Sequence, residues 1–200
     1  MREADWKEAE FIAWDDGLPY PEWDRIEGRV NLESPESSCR ESWVSAGRYW
    51  LADLGGSLDS RYQVLESAHF QMLAPQTGES GARLLGFAER SRIALMTGFR
   101  GVTRFDLPGK QVILLFGSHE EYYRCIAHFY PEGDFGGSAG LHVRQGYPHV
   151  ALARGIDWTL DTCLAHELTH VSLLHLAMPQ WLEEGLAQMV ECDIAGRPLC

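Results

Sequence analysis

The sequence has no long hydrophobic run. No stretch of its 200 residues approaches the roughly 18 uncharged apolar residues that a membrane-spanning helix requires. The opening residues, MREADWKEAEFIAWDD, carry acidic side chains where a secretory signal peptide needs an apolar core. We therefore expect a soluble, cytoplasmic protein that does not interact with a membrane.

Cysteine pairs and basic residues are also scarce. The five cysteines are scattered and include no C-x-x-C pair, so we expect reduced thiols and no thiolate zinc site. Only 17 basic residues stand against 29 acidic ones, which gives a formal net charge of −12. Most of such a surface would repel a phosphate backbone, which argues against a nucleic-acid partner. The sequence also lacks an internal repeat, which excludes a solenoid.

The first 60 residues differ in composition from the rest. They contain five of the seven tryptophans, together with prolines and many acidic residues, and they show no sustained periodicity. Because tryptophan side chains usually pack against other groups, we predict an N-terminal extension over 1–60 that is irregular but packed on a main domain at 61–200. A chain of 200 residues can build one core of adequate size.

The first half of the main domain alternates between strand and helix patterns. Strand-forming residues predict a first strand over 61–74, and helical periodicity predicts a helix over 82–98. The continuous apolar run QVILLF, at 111–116, is typical of a strand that is buried on both faces. Ser118 then stands where it can cap a helix that runs to about Tyr130.

The second half continues with a hairpin and two helices. The apolar runs at 140–144 and 148–154 predict a β-hairpin after a glycine-rich loop. A long helix follows at about 160–176, with capping residues at 157–159, and a last helix extends over about 179–193. The order of these elements predicts an α+β fold.

The long helix contains an H-E-x-x-H pattern in the segment LAHELTHV. Its two histidines, His166 and His170, are four residues apart, so both imidazoles project from one helix face and can share a metal ion. Glu167 lies between them, where its carboxylate can deprotonate a metal-activated water. The pattern also occurs by chance on solvated helices. Here, however, apolar neighbours indicate a core helix, in which unpartnered histidine and glutamate would be costly.

A catalytic zinc requires a third protein ligand, and the sequence restricts what it can be. A third histidine in the pattern H-E-x-x-H-x-x-G-x-x-H would need glycine at position 173 and histidine at position 176, but both positions are leucine, which excludes that class. His175 is half a turn out of phase with His166, so we expect it to be exposed or hydrogen-bonded elsewhere.

The last helix carries the segment MPQWLEEGLAQMVE. With it, the chain resembles the gluzincin clan of metallopeptidases, and in particular the peptidase MA-like family, in which H-E-x-x-H is followed by P-x-W-L-x-E-G-L-A. The resemblance covers about residues 61–193. It implies a zincin-like fold, in which a small mixed sheet supports an active-site helix with the HExxH pattern and a following helix carries the third ligand.

The resemblance further implies that Glu184 is the third ligand of one Zn²⁺ ion and that Glu183 is a surface residue. Residues 171–183 provide enough chain for the helix to end, reverse and bring Glu184 back to the metal. Glu183 would point about 100° away from Glu184 around the helix, so both cannot bind the metal at once.

Three further residues are candidates for supporting roles. Glu191 is two helical turns after Glu184, where it could accept the free N–H of a ligating histidine or could be a solvated acid at a helix end. Gluzincins often stabilise the oxyanion with a Tyr or His after the third ligand, but 185–200 contains neither. Tyr147 and His149 of the hairpin are the candidates to replace it, unless the stabiliser lies outside this sequence.

The resemblance also implies where a peptide substrate binds. In gluzincins the extended substrate pairs with an edge strand of the sheet, and here that strand would be 149–154. The sequence therefore predicts a zinc-dependent peptidase with Glu167 as general base. Two alternatives stay open: an inactive peptidase-like protein that uses zinc for structure or partner binding, and a metal-free binding module built on the tryptophan-rich segment. The ligand set also suits other divalent ions.

Overall fold

The computed structural model describes residues 12–33, 36–58, 61–76, 80–133, 137–154 and 160–195. Within these ranges the chain forms six helices, a two-stranded sheet and a five-stranded sheet, so the predicted α+β class is confirmed. The strands are β1 (Ile12–Asp15), β2 (Leu18–Pro21), β3 (Tyr62–Glu66), β4 (Phe70–Pro75), β5 (Gln111–Phe116), β6 (Gly140–Val143) and β7 (His149–Ala153). The helices are α1 (Trp23–Glu33), α2 (Glu36–Leu58), α3 (Ser80–Gly98), α4 (His119–Phe129), α5 (Leu160–Leu173) and α6 (Gln180–Ala195).

The larger sheet has the strand order β3-β4-β5-β7-β6. Strands β4, β5 and β7 are parallel and form its centre, while β3 and β6 pair antiparallel at the two ends. All six residues of β5 are buried, as the apolar run predicted. Because side chains alternate along a strand, β5 contributes to a separate core on each face of the sheet.

Helices cover both faces of the larger sheet. On one face, which we call the α5 face, the core includes residues of α3, α5 and α6, among them Leu84, Leu168 and Val190. On the other, which we call the α2 face, it includes residues of α1, α2 and α4, among them Ile26, Trp50 and Ile126. The α5 face is the one that carries the candidate metal ligands.

The N-terminal segment is more regular than we predicted. The described part of 1–60 forms the β1–β2 hairpin and helices α1 and α2, so the prediction of irregular structure is wrong. Its aromatic residues do pack on the rest of the chain, since Trp23, Trp43 and Trp50 share one core cluster with β5. Trp14 is the exception among the described tryptophans of this segment, with 61% exposure. The division of the chain near residue 60 stays a prediction.

The strand predicted over 61–74 is in fact a hairpin. The chain reverses between β3 and β4, and the Ser67 N–H donates to the Phe70 carbonyl at 2.9 Å. Glu89 of α3 holds this turn by accepting hydrogen bonds from Ser67 Oγ at 2.7 Å and from His69 N–H at 2.9 Å. The sequence at 66–70 contains no glycine, proline or asparagine, and a contact from another element cannot be predicted from the local pattern.

The other predicted elements are present, with shifts at their ends. Helix α3 ends at Gly98, and Ser118 caps α4 by accepting the Glu121 N–H at 3.2 Å, as predicted. Helix α5 ends at Leu173 rather than at 176, and the capping residues predicted at 157–159 lie outside the described part. Cys39, Cys125, Cys163 and Cys192 are free thiols, in agreement with the prediction.

The strand that we expected at the sheet edge is an interior strand. Strand β7, which covers most of the predicted edge at 149–154, pairs with β5 on one side and with β6 on the other. The edge is β6. The apolar pattern predicted the hairpin but could not decide which of its two strands joins the parallel centre.

Each helix in the described ranges is too short or too polar to span a membrane.

Candidate metal centre

The H-E-x-x-H residues lie on α5, which is a core helix, as the sequence predicted. Every residue from Thr162 to Leu173 is buried except His166, which is partly exposed. Buried hydroxyl groups in this stretch bond to the helix itself, as Thr169 does by donating to the Ala165 carbonyl at 2.8 Å. The imidazoles and the carboxylate therefore stand in apolar surroundings, where each polar atom requires a partner.

The three predicted ligands meet at one point. His166 Nε2 lies 3.0 Å from His170 Nε2, and Glu184 oxygens lie 3.4 Å from the first and 3.7 Å from the second. Their ligand atoms are all within 4.8 Å of one another. A tetrahedral zinc with bonds of about 2.0–2.1 Å would separate its ligand atoms by about 3.3 Å. The donor atoms thus fit a zinc-sized ion with only small adjustments.

The outer nitrogen of each imidazole is bonded to a carboxylate. Glu191 Oε1 lies 2.5 Å from His166 Nδ1, and Glu183 Oε1 lies 2.9 Å from His170 Nδ1. Because a carboxylate can only accept, each Nδ1 atom carries a hydrogen, and in the neutral form of each imidazole the Nε2 atom presents a lone pair. Two lone pairs that face each other at 3.0 Å repel unless a proton or a metal ion lies between them. This arrangement is the one that imidazole ligands of a metal require.

Glu191 lies where the sequence placed it, on the same side of α6 as Glu184. Its side chain is only 10% exposed, which does not suit a solvated acid at a helix end. The alternative interpretation of Glu191 as a surface residue is therefore not supported.

Glu183 is a site residue that the sequence interpretation missed. Its side chain is 14% exposed, so the prediction of a surface residue is wrong. Glu183 and Glu184 reach different atoms, as their positions around the helix predicted, but Glu183 still reaches the outer nitrogen of His170. A ligating imidazole needs a hydrogen-bond acceptor at its outer nitrogen, and this requirement could have identified Glu183 from the sequence.

Glu167 is 7% exposed and lies beside His166, His170 and Glu184, the group of candidate ligands that we call the metal cluster. Its carboxylate accepts the backbone N–H of His142 in β6. Burial raises the pKa of Glu167 from 4.5 to about 7, and the charges of Glu184 and Glu191 act in the same direction, while His166 and the His142 N–H oppose them. The edge strand thus holds the carboxylate through a backbone hydrogen bond.

Strand β6 directs the backbone N–H and C=O groups of alternate residues away from β7. The Ala153 N–H donates to the Ala139 carbonyl at 2.8 Å, so in the antiparallel register residues 139, 141 and 143 face β7. Gly140 and His142 therefore face outward, which agrees with the bond from His142 to Glu167. Among the described strands, none pairs with this side of β6, so these groups form a sheet edge next to the three candidate ligands.

Glycine at position 140 allows the edge strand to approach α5. A Cβ atom there would lie 2.6 Å from Cys163 Sγ and 3.4 Å from Glu167 Cγ. The His142 side chain lies on this same side of β6, since side chains two residues apart share a face. It is 5% exposed, and within the described part of the chain neither of its ring nitrogens has a hydrogen-bond partner.

Tyr147 and His149 lie away from the metal cluster. The Tyr147 hydroxyl donates to the Lys110 carbonyl at 2.6 Å, and its ring packs against Trp23. His149 is 1% exposed, and its ring contacts Trp50. Both side chains belong to the α2 face, because alternation along β7 directs His149 away from α5. The expectation that either one stabilises an oxyanion is corrected accordingly. His175 is exposed, as expected.

No protein-family model, no curated protein and no solved structure matches this chain.

Proposed function

We propose that this chain is a zinc-dependent peptidase of the gluzincin type, similar to the peptidase MA-like family and with a zincin-like fold. The observation that carries the proposal is that His166, His170 and Glu184, from two different helices, bring their ligand atoms within 4.8 Å of one another beside the buried Glu167. In this proposal α5 is the active-site helix, α6 is the helix of the third ligand, and the five-stranded sheet supports both.

Zinc is the proposed ion because two imidazoles and one carboxylate form a ligand set typical of catalytic zinc. Three protein ligands leave one position of a tetrahedral ion open for chemistry, whereas structural zinc sites use four. A bound zinc would supply a Lewis acid that polarises a peptide carbonyl and acidifies water.

Glu167 is the proposed general base. Its carboxylate takes the proton from the attacking water and later passes that proton to the leaving amine. The His142 N–H holds the carboxylate in place, so the base is oriented by the edge strand that would bind the substrate. An extended peptide would pair with outward backbone groups of Gly140 and with the His142 carbonyl, because the His142 N–H is already bonded.

The first experiment is elemental analysis of the purified protein. We expect about one zinc per chain in the wild type and in His175→Ala, an exposed histidine that serves as control, and none in His166→Ala or Glu184→Ala. Glu167→Gln should retain zinc but hydrolyse no unstructured peptide. Absence of metal from the wild type after zinc is supplied, or unchanged turnover in Glu167→Gln, would refute the proposal.

A second candidate is an inactive peptidase-like protein that keeps zinc for structure or partner binding. It is favoured by the lack of a Tyr or His over 185–200, together with the location of Tyr147 and His149 on the other face of the sheet. A zinc-loaded wild type that unfolds at a lower temperature in chelator, yet cleaves none of a broad set of unstructured peptides, would establish it.

A metal-free binding module is the remaining alternative, and the burial of three tryptophans argues against it. Its motivating feature was the tryptophan-rich segment, but Trp23, Trp43 and Trp50 are buried in the core. Such a module predicts that chelator leaves the thermal stability unchanged, and the same unfolding measurement tests it.

A further inference from the structure

Arg144 connects the edge strand to a candidate metal ligand. It directly follows β6, and its Nη2 atom donates to Glu183 Oε1 at 2.6 Å. The same oxygen lies 2.9 Å from His170 Nδ1. A single carboxylate oxygen thus joins a guanidinium group on one side and the imidazole of a metal ligand on the other.

The surroundings of Glu183 explain why it requires a cation. It is largely buried, it neighbours Glu184 in the chain, and Glu167 and Glu191 lie in the same cluster. Repulsion among these carboxylates favours a rotation of Glu183 toward solvent. Charge-assisted hydrogen bonds from a planar guanidinium oppose that rotation with a defined geometry. The Arg144 side chain is 52% exposed, so its ion pair with Glu183 contributes little to stability. Its main effect is to orient the Glu183 carboxylate.

We propose that Arg144 is a positioning residue of the metal centre, which acts through Glu183 to keep His170 Nε2 directed at the ion. The inference rests on the proposed function, because it assumes that the cluster binds a metal. It adds a link between the end of the edge strand and the geometry of a ligand, which no pattern in the sequence indicated.

Whether removal of Arg144 weakens or tightens zinc binding distinguishes a positioning role from simple charge repulsion. Arg144 is a cation near a site for another cation, so charge repulsion alone predicts that its removal tightens metal binding. Positioning predicts the opposite. Loss of an outer hydrogen-bond partner of a ligating histidine typically weakens metal binding by about 10- to 100-fold. Because Arg144 acts one bond further away, we expect the lower end of this range.

The test measures the zinc dissociation constant of the full chain by competition with a chromophoric chelator. We expect Arg144→Ala to weaken zinc binding about tenfold and Arg144→Lys, which keeps the charge but not the planar fork, to weaken it less. Arg83→Ala is the matched control. Arg83 is 51% exposed and pairs with Asp161 of α5 at 2.7 and 2.8 Å, away from the metal cluster, so its zinc affinity should equal that of the wild type.

A double variant identifies the route of the effect. In a Glu183→Ala background there is no carboxylate for Arg144 to hold, so Arg144→Ala should leave zinc affinity unchanged or raise it slightly. Equal or tighter binding by Arg144→Ala alone, or a tenfold loss that persists without Glu183, overturns the inference while the metal site itself stands. A wild type that binds no zinc overturns both this inference and the proposed function. Should Arg144→Ala fail to fold, the sign in Arg144→Lys decides.

Discussion

Replacement of Glu191 by alanine should weaken zinc binding without a comparable loss of stability in the metal-free protein. Glu191 Oε1 lies 2.5 Å from His166 Nδ1, and the Glu191 side chain is 10% exposed. Alanine would leave the Nδ1–H of a ligating imidazole without its acceptor and free the ring to rotate. Outer acceptors of this kind contribute about 10- to 100-fold to metal affinity, which corresponds to about 1.4 to 2.8 kcal/mol.

The metal-free protein should respond differently. There the substitution removes a hydrogen bond, but it also removes one carboxylate from a crowded cluster that includes Glu167 and Glu184. These effects oppose each other, so the free energy of unfolding should change less than the free energy of zinc binding. The stabilisation that zinc adds should then fall by about 1.4 kcal/mol for each tenfold loss of affinity.

The assay combines chelator competition with urea unfolding, each in the presence and absence of zinc. Asp193→Ala, an exposed acid on the same helix, is the control and should match the wild type. Glu191→Gln retains an acceptor oxygen, so its zinc affinity should lie between those of Glu191→Ala and the wild type. If Glu191→Ala bound zinc as tightly as Asp193→Ala, Glu191 would be an ordinary helix acid and the argument from the imidazole bond would fail.

Three other outcomes follow from the packing. Tyr147→Phe should lose about 1 kcal/mol of stability, for one buried hydrogen bond, and keep full zinc affinity; a loss of zinc would contradict its location on the α2 face. Gly140→Ala should destabilise the protein in urea, because its Cβ would lie 2.6 Å from Cys163 Sγ, and Cys163→Ala should restore part of the loss; no rescue would refute this cause. Burial lowers the pKa of His149 from 6.5 to about 4, so the folded state resists protonation there. Stability should therefore fall as the pH drops from about 6.5 to 4, and a dependence in His149→Phe as steep as in the wild type would refute the assignment.

Local sequence predicted those elements whose cause is local. Strand β5 follows from one apolar run, and α4 follows from a capping serine with acids in its first turn. Helix α2 escaped prediction because small residues dilute its buried face. Gly47 and Gly55 both approach the sheet, where an added Cβ would lie 2.5 Å from Gln71 Oε1 and 2.9 Å from Leu73 Cδ1. A pattern of apolar side chains cannot show a helix face that packs through glycine.

Two of the candidate metal ligands were predictable from helix geometry, and the third from the resemblance to a known family. A spacing of four residues places His166 and His170 on one face. The resemblance to the peptidase MA-like family selects Glu184, which lies at a distance that a helix reversal can span. The relation between the two histidines depends only on periodicity within one helix.

Only the tertiary structure decided how the site is supported. The bond between Glu183 and His170, the contact of Arg144 with Glu183, and the hydrogen bond from His142 to Glu167 all join different elements. They depend on how α6 crosses α5 and on which strand of the hairpin takes the edge. Periodicity assigns residues to a face of one element, but the register and crossing between elements are set by the packing of the whole core.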